Sequence, residues 1–403
     1  MKKTEILKNY DDYILSTYTR TPAIFVKGKG MDLIDINGKK YLDFFPGWGV
    51  NNVGHCHPKV MAGVRDQVSK LIHIPNNFYH PNQVKLAKEI IRRSFPGKVF
   101  FGNSGTEACE AAIKFARIYG KASGRYEIIT MEKSFHGRTL GSLAATGQKK
   151  YQEGFGPLPG GFQCVAFNDI DALKAAVNDK TVAVMLEPVQ GEGGVNIAEK
   201  DYINQIRELC DQKDMLMIFD EVQTGMGRTG TMFAFEHYNV KPDLMLLAKA
   251  LGGGLPIGAL VVKKSIASTF QPGMHASTFG GSPLVCKAAL GAFKAITADK
   301  MLKNAKTMGA YLLDELSKFK NKFKCIKDVR GLGLMIGIEL DIEGKAIYED
   351  CFENGLIINC TQGNIIRLMP ALNVTRKQAN KALLILEKAF EKATNKAVKN
   401  SDF

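Results

Sequence analysis

The sequence predicts an α/β protein in which helices flank a mostly parallel β-sheet. Two patterns point to this fold class. Short, wholly apolar runs such as Val182–Leu186 and Met215–Phe219 alternate with helical patterns along the chain. Strands that are apolar on both faces are typical of a parallel sheet between layers of helices. The composition agrees, since 403 residues that are 45% hydrophobic and 23% charged can form a large core.

The order of elements can be followed along the chain. An Asn37-Gly38 pair between two apolar runs indicates a β-hairpin near the start. From residue 98, three strand–helix alternations are followed by three further strands. The predicted strands are Lys98–Phe101, Glu127–Met131, Val182–Leu186, Met215–Phe219, Leu244–Ala248 and Ile257–Val262, and the predicted helices are Ser104–Gly120, Asp171–Val177 and Ile203–Gln212.

Beyond residue 284 the pattern changes to that of a smaller α+β unit. Long helices are predicted over Leu284–Thr297 and Met301–Lys318, and strands over Cys325–Asp328 and Leu334–Leu340. A helix, two short strands and a last helix over Thr375–Thr394 complete the chain. We therefore expect a large domain over 51–290 and a small domain over 291–403, to which residues 1–50 contribute.

Charge and cysteine content narrow the function classes. The net charge is +14, but the lysines are scattered, which favours a solvated basic surface over a nucleic-acid-binding face. The eight cysteines form no CxxC pair, so we expect reduced thiols. Charged residues interrupt the N-terminal segment and Lys249 interrupts the most apolar stretch. A cytoplasmic protein without a membrane segment is expected.

The segment NSGTEACEAAIKFAR, residues 103–117, is a candidate phosphate site. Ser104 and Glu107 have the spacing of a capping box at the start of a helix. Gly105 and Thr106 then fall in the first turn, where backbone N–H groups and the helix dipole favour an anion. Ordinary capping explains the same residues, so both interpretations stand at this point.

Two polar residues follow apolar strands. Asp220 ends the strand in MLMIFDEVQTG, at the strand end where open α/β sheets collect ligands. Its carboxylate could serve a metal, a ribose, a protonated ring nitrogen or a helix cap. Lys249 lies between an apolar run and a glycine cluster, where desolvation would lower its pKa and make the amine a nucleophile. A lysine that turns to solvent is the alternative.

Two further segments carry groups suited to ligand binding. In SFHGRT, Phe135 and His136 could stack on a ring, and Arg138 could bind a carboxylate. In EPVQGEGG, Glu187 and Glu192 flank a tight glycine loop.

Two other motifs resemble ligand-binding motifs, but their spacing does not fit such a site. The histidines of GHCHP, residues 54–58, have no further ligand at metal spacing and are interpreted as turn residues. The GMGRTG match to a dinucleotide motif, residues 225–230, stands five residues beyond its strand and opens no helix. A nicotinamide oxidoreductase is therefore a weak alternative.

Together the motifs resemble one family. NSGTEA, FHGRT, EPVQGEGG, DEVQTGMGRTG, AKALGGGLPIGA and STFGGSP have the order and spacing of class III aminotransferases, pyridoxal-phosphate enzymes of fold type I. The resemblance spans about residues 20–390 and is greatest to the members that act on N-acetylornithine. It implies transfer of the ω-amino group to 2-oxoglutarate, in arginine biosynthesis. Ornithine, succinyldiaminopimelate and 4-aminobutyrate are alternative donors, and glutamate-semialdehyde aminomutase is an alternative activity.

The resemblance also implies the roles of individual residues. Lys249 would form the internal aldimine and move the substrate proton, and Asp220 would keep the pyridine nitrogen protonated. Arg138 and Arg367 would bind substrate carboxylates, and Glu192 would cover Arg367 while an ω-amine is bound. Ser277 would be a further substrate contact. The other implied cofactor contacts are Gly105, Thr106, Phe135, His136, Glu221, Val222, Gln223 and Thr278.

Assembly and specificity also follow from the resemblance. Thr278 would reach the phosphate in the neighbouring subunit, so a homodimer is expected. Trp48 and the segment 72–83 depart from the family pattern at the expected substrate mouth. These departures make the donor the least determined part of the prediction.

Overall fold

A computed structural model of the protein describes residues 1–401. Its helices are α1 (Lys3–Tyr13), α2 (Pro58–Val68), α3 (Pro81–Arg93), α4 (Gly105–Tyr119), α5 (Leu140–Ala145), α6 (Lys149–Gln152), α7 (Ile170–Ala176), α8 (Lys200–Gln212), α9 (Pro283–Ala298), α10 (Met301–Lys322), α11 (Lys345–Glu353) and α12 (Arg376–Ser401).

The strands within residues 1–401 form one seven-stranded sheet, two four-stranded sheets and one two-stranded pair. They are β1 (Phe25–Lys29), β2 (Asp32–Asp35), β3 (Lys40–Asp43), β4 (Gly97–Gly102), β5 (Glu127–Met131), β6 (Phe162–Val165), β7 (Thr181–Leu186), β8 (Val189–Gln190), β9 (Asn196–Ile197), β10 (Leu216–Asp220), β11 (Leu244–Leu247), β12 (Gly258–Lys263), β13 (Ile326–Leu332), β14 (Met335–Leu340), β15 (Leu356–Ile357), β16 (Asn359–Thr361) and β17 (Ile365–Leu368).

A seven-stranded sheet in the order β4-β12-β11-β10-β7-β5-β6 organises the chain. The neighbours from β11 to β6 are parallel, and β12 is antiparallel to both β11 and β4. Strands β7, β10 and β11 are buried along their whole length, as their apolar sequences predict. The α/β prediction is confirmed, although the sequence pattern revealed neither β6 nor the antiparallel direction of β12.

The predicted N-terminal hairpin is also present. Strands β2 and β3 pair antiparallel, and the Asp35 carboxylate accepts the amides of Asn37 and Lys39 in the turn between them. Gly38 has a φ of +84°, which a side chain would strain. The turn chemistry of Asn-Gly therefore has the effect that the sequence predicts.

The remaining sheets join distant parts of the chain. Strand β15, near the C-terminus, pairs parallel with β3, and β13, β14, β17 and β16 form a separate antiparallel sheet. Helix α9 runs across position 290. The division into 51–290 and 291–403 with a contribution from 1–50 stays a prediction, and its last two residues lie outside the described chain.

Strand direction decides where the polar residues meet. In parallel strands the carboxyl ends lie at one edge of the sheet, so the loops after β4, β5, β7, β10 and β11 converge there. These loops contain most of the residues singled out above. Within residues 1–401, no helix has the length and apolar character needed to cross a membrane.

Candidate active site

A cavity of about 510 Å³ lies at this edge of the sheet. It brings together residues from six separate stretches of sequence, which only the fold makes neighbours. Of the residues predicted from sequence, those that line it are Gly105, Thr106, Phe135, His136, Arg138, Glu192, Asp220, Val222, Gln223 and Lys249.

Lys249 begins a short 3-10 helix directly after β11. Its φ of +43° is unusual for a residue with a side chain, and such strain is found mainly at functional sites. Burial lowers the pKa of Lys249, against the opposing effect of the negative charge of Glu192. A lowered pKa makes the neutral amine more available as a nucleophile and as a proton acceptor.

Asp220 is the last residue of β10 and is only 5% exposed. One carboxylate oxygen lies 2.8 Å from His136 Nδ1, and the other accepts the Val222 amide at 3.0 Å. The buried His136 Nε2 has no hydrogen-bond partner among residues 1–401. His136 therefore touches the carboxylate rather than stacking freely in the cavity, and it orients Asp220 toward the space where a ring could bind.

The start of α4 supplies donors to the same cavity. Ser104 Oγ accepts the Glu107 amide at 3.2 Å, so Ser104 is the predicted N-cap. The amides of Gly105 and Thr106 have no acceptor within a helix and face the anion-attracting end of its dipole. The Thr106 hydroxyl lies 2.6 Å from Ser142 Oγ. This terminus can therefore bind a phosphate through its backbone, and the predicted hydroxyl contact of Thr106 stays a prediction.

Arg367, in β17, is fully buried and lies behind the lining residues Glu192 and Gln223. Its guanidinium donates to Glu192 Oε1 at 2.8 Å, to Asn359 Oδ1 at 2.9 Å and to Gln223 Oε1 at 3.2 Å. The ring of Phe45 lies beneath it, with its centroid 4.7 Å from Cζ. Burial raises the pKa of Glu192, but the charge and hydrogen bond of Arg367 outweigh it, so the pKa lies below its ordinary value.

Arg138 occupies an open part of the site. Its side chain is exposed, and Cζ lies 4.2 Å from the Tyr151 ring centroid and 5.5 Å from that of Phe135. The two aromatic rings meet edge to face at 5.6 Å. Stacking holds the guanidinium by its face and leaves its N–H edge for a carboxylate. Tyr151 had no role in the sequence analysis, because nothing in its local pattern indicates this contact.

Glu187 is the site residue whose role the sequence left open. It follows β7 directly, in the same strand-end position as Asp220, and is 5% exposed. It accepts the amides of Phe135 at 2.9 Å and Gly191 at 3.2 Å. Burial raises its pKa to about 7. The carboxylate thus joins the loop of Phe135 to the glycine loop of Glu192.

The carboxylate of Glu221 has its hydrogen bonds in the turn after β10. Its buried carboxylate accepts the amides of Ala234 at 2.7 Å and Phe235 at 2.8 Å and the Thr224 hydroxyl at 3.0 Å. These contacts turn the carboxylate away from the cavity and stabilise the following turn, and the predicted cofactor contact of Glu221 stays a prediction. A run of consecutive residues after a strand cannot all face the same ligand.

Ser277 and Thr278 also lie outside this cavity. Both line a separate surface cavity of about 810 Å³. Ser277 Oγ accepts from Asn103, which does line the active-site cavity, at 3.2 Å, and from the Gly280 amide at 3.1 Å. In this chain Ser277 is therefore linked to the active-site cavity through Asn103. The predicted reach of Thr278 into a neighbouring subunit stays a prediction.

The histidines of GHCHP have structural contacts. His55 Nε2 lies 2.7 Å from the Asp43 carboxylate, and His57 caps α2 by accepting the Lys59 amide. The part of the chain that the structure describes holds no group of three or more potential metal ligands.

The GMGRTG segment is a turn in which Arg228 is fully buried and donates to the carbonyls of Leu334 and Pro370. The dinucleotide interpretation is wrong, because this turn ties two parts of the chain together and opens no helix.

The arrangement fits pyridoxal phosphate. An amine with a lowered pKa, a buried carboxylate and a helix N-terminus share one cavity, and these match the aldehyde, the ring nitrogen and the phosphate. Phe135 and Val222 supply apolar surface at the wall. Lys249, Asp220, Gly105 and Thr106 would hold the cofactor.

Comparison with known proteins agrees with this fit. Residues 13–390 match the family model of class III aminotransferases. The acetylornithine aminotransferase of Methanocaldococcus jannaschii is 52% identical over 94% of this chain and 96% of its own length. That of Caldanaerobacter subterraneus is 49% identical over 93% and 96%. The solved ornithine aminotransferase of Toxoplasma gondii, which contains partially occupied PLP, superposes with a TM-score of 0.94 at 32% identity, covering 98% of this chain and 96% of its own.

Proposed function

The chain belongs to the class III aminotransferase family, and we propose that it transfers the ω-amino group of N-acetylornithine to 2-oxoglutarate. The relatives at 52% and 49% identity support the choice of donor. The observation that carries the proposal is the pairing of the buried Arg367 with Glu192, which lines the same cavity as Lys249. An arginine that is paired with a glutamate near the reactive amine suits an enzyme whose two substrates differ in whether a carboxylate lies beside the amino group.

The residues on the sheet edge divide the chemistry between them. Pyridoxal phosphate, when bound, supplies an aldehyde for the amino group and a protonated ring that withdraws electrons. Lys249 Nζ, with its lowered pKa, accepts the proton from the substrate carbon and returns it to the product. The Asp220 carboxylate, oriented by His136, holds the ring nitrogen in its protonated form.

The residues at the mouth distinguish the two substrates. An ω-amine donor carries its carboxylate far from the reacting amine, whereas glutamate carries one beside it. Arg138 binds the distal carboxylate of either substrate, and Arg367 binds only the α-carboxylate of glutamate. Glu192 neutralises Arg367 while the ω-amine is bound, because an unpaired buried arginine is costly.

The active unit in this proposal is a homodimer. Several large apolar side chains near the cavity of Ser277 and Thr278 are exposed, including Tyr79 at 100%, Phe78 at 62% and Phe279 at 61%. Exposed apolar surface of this kind is typical of an interface with another protein. A second copy placed here would bring Thr278 toward the other active site.

An amino-donor screen tests the proposed substrate. Purified holoenzyme would be given 2-oxoglutarate and, in separate assays, N-acetylornithine, ornithine, succinyldiaminopimelate or 4-aminobutyrate, and glutamate formation would be measured. We expect the highest kcat/KM with N-acetylornithine. A higher value with another donor would reassign the substrate, and turnover of glutamate semialdehyde without 2-oxoglutarate would indicate the aminomutase. Sedimentation analysis of the same sample tests the dimer.

A further inference from the structure

We infer that Thr361 and Gln362 are positioning residues that fix the backbone of Glu192, so that Arg367 is uncovered by rotation of the Glu192 side chain alone. The inference rests on the proposed function, in which Glu192 covers Arg367 for one substrate and leaves it for the other. It concerns which residues hold the Glu192 backbone during that exchange, and it assigns a specificity role to two residues outside the cavity lining.

The Glu192 carbonyl receives two hydrogen bonds, one from the last residue of β16 and one from the turn that follows it. Thr361 Oγ1 donates to it at 2.9 Å and Gln362 Nε2 at 2.5 Å. Gln362 has a φ of +54°, a conformation that costs a side-chain-bearing residue energy and brings its amide over the glycine loop. Two donors on one carbonyl restrain the position of the Glu192 peptide.

Gln362 is itself tied to the other side of the mouth. Its Nε2 lies 3.0 Å from Gln148 Oε1, and Lys150 Nζ donates to its Oε1 at 3.1 Å. Gln148 in turn donates to the carbonyls of Lys133 at 3.2 Å and Ser134 at 3.1 Å. The Gln362 amide is therefore held at both ends.

The glycine loop around Glu192 is closely packed against its neighbours. A Cβ on Gly191 would lie 1.8 Å from Gln223 Oε1, one on Gly193 2.5 Å from the Lys133 carbonyl and one on Gly194 2.4 Å from Ile365 Cδ1. Close approach on three sides, together with the bond from the Gly191 amide to Glu187, confines the backbone. The Glu192 side chain, by contrast, is 17% exposed and has space toward the mouth.

One hairpin thus supplies both sides of the gate. Strands β17 and β16 contain Arg367 and its acceptor Asn359, and the donors to Glu192 lie at the end of β16 and in the turn between the strands. A motion that carried the hairpin would carry the glycine loop with it. The change between the two substrates is therefore a side-chain rotation about a preorganised backbone.

The energetic consequence is directional. With the backbone fixed in advance, pairing of Glu192 with Arg367 requires little further ordering. We call the two hydrogen bonds to the Glu192 carbonyl the clamp. When one of them is lost, pairing of Glu192 with Arg367 must also order the glycine loop. The state in which Glu192 has left Arg367 does not require that ordering. Loss of the clamp should therefore penalise the ω-amine half-reaction relative to the glutamate half-reaction.

The test compares Thr361→Val, which removes the hydroxyl, with Thr361→Ser, which keeps it, and adds Gln362→Ala. Each half-reaction of the holoenzyme is followed by single-turnover absorbance with glutamate and with the best ω-amine. We expect the glutamate-to-ω-amine ratio of kmax/Kd to rise about 5- to 10-fold in Thr361→Val and Gln362→Ala, the size of one lost hydrogen bond. Thr361→Ser should keep the wild-type ratio.

Hydrogen exchange gives a readout independent of turnover. The peptide that spans residues 187–196 should exchange faster in Thr361→Val than in wild type or in the exposed control Thr307→Val. An unchanged ratio with unchanged exchange, or equal losses in both half-reactions, would overturn the clamp. A wild-type enzyme that reacts with no ω-amine would refute the proposed function instead.

Discussion

The two walls of the active site differ in how they are built. The cofactor wall consists of Lys249, Asp220 and the start of α4, each at or just beyond the end of a strand of the central sheet. The hairpin wall, with Arg367 and its partners, comes from β16, β17 and the glycine loop, up to 175 residues apart in sequence. The first wall relies on the rigid sheet, and the second on a network of charged hydrogen bonds.

This difference separates two functions. A cofactor that stays bound needs groups whose positions do not change, which the ends of buried strands provide. Substrates that alternate need a charge that can be covered and uncovered, which a paired ion on a preorganised loop provides. Variants in the cofactor wall should therefore affect both half-reactions, and variants in the hairpin wall only one.

The largest effect is expected at Lys249. Lys249→Ala removes the nucleophile and the proton carrier together, so both half-reactions should slow by more than about 10⁴-fold. Borohydride should attach the cofactor to Lys249 in the wild type. The exposed lysine variant Lys241→Ala should behave as wild type. A reduced protein labelled at another lysine would disprove the assignment.

Asp220→Asn should have the next largest effect. The amide keeps the shape and an acceptor for His136 but removes the negative charge that stabilises a protonated ring. Both half-reactions should slow by at least ~10²-fold while the cofactor remains bound by absorbance. Asp201→Asn, an exposed acid at the start of α8, serves as the control. A near-normal rate with bound cofactor would remove Asp220 from the catalytic group.

Arg367→Ala tests the hairpin wall directly. Apparent binding of glutamate should weaken by about 30-fold, the lower end for a buried charge pair, because its α-carboxylate loses its partner. The ω-amine half-reaction should change far less. Arg138→Ala should instead weaken the apparent binding of both substrates. The loss should be only roughly tenfold, because the guanidinium is exposed to solvent. Equal losses in both halves for Arg367→Ala would contradict the switch.

The smallest effect on turnover is expected at Glu221, which supports the cofactor wall. Burial raises the pKa of Glu221 to about 7, so the folded state favours its protonated form. Its contribution to stability is full below about pH 4.5 and is lost as the pH rises through about 7. Glu221→Gln should remove this loss, which is at most about 3 kcal/mol between pH 4.5 and 7.

Urea unfolding of wild type and Glu221→Gln at several pH values measures the slope. The exposed control Glu208→Gln should keep the wild-type slope. Parallel profiles for wild type and Glu221→Gln would show that folding does not raise the pKa of Glu221. A loss of turnover in Glu221→Gln that exceeds its loss of stability would return Glu221 to the cofactor site.

Much of the cofactor wall could be predicted from local sequence. Apolar runs marked the buried strands, and the polar residue after each run marked the sheet edge, as at Asp220 and Lys249. The S-x-x-E spacing marked the cap of α4. These signals are local because propensity, periodicity and capping act over a few residues.

Other features were beyond local pattern. The stacking of Tyr151 on Arg138, the turning of Glu221 away from the cavity and the insertion of β12 antiparallel in the sheet have no short-range signal. The resemblance to a family supplied Arg367 and Glu192 as candidates, and the fold showed that they pair.

The sequence by itself determined the α/β class, the strand-end positions of Asp220 and Lys249, and the helix start that faces a phosphate. Only the tertiary structure decided that Arg367 is covered by Glu192, that Thr361 and Gln362 hold the Glu192 carbonyl, and that Ser277 and Thr278 line another surface. The reason is physical: periodicity and capping are short-range effects, whereas ion pairing and burial depend on which distant segments the closed fold brings into contact.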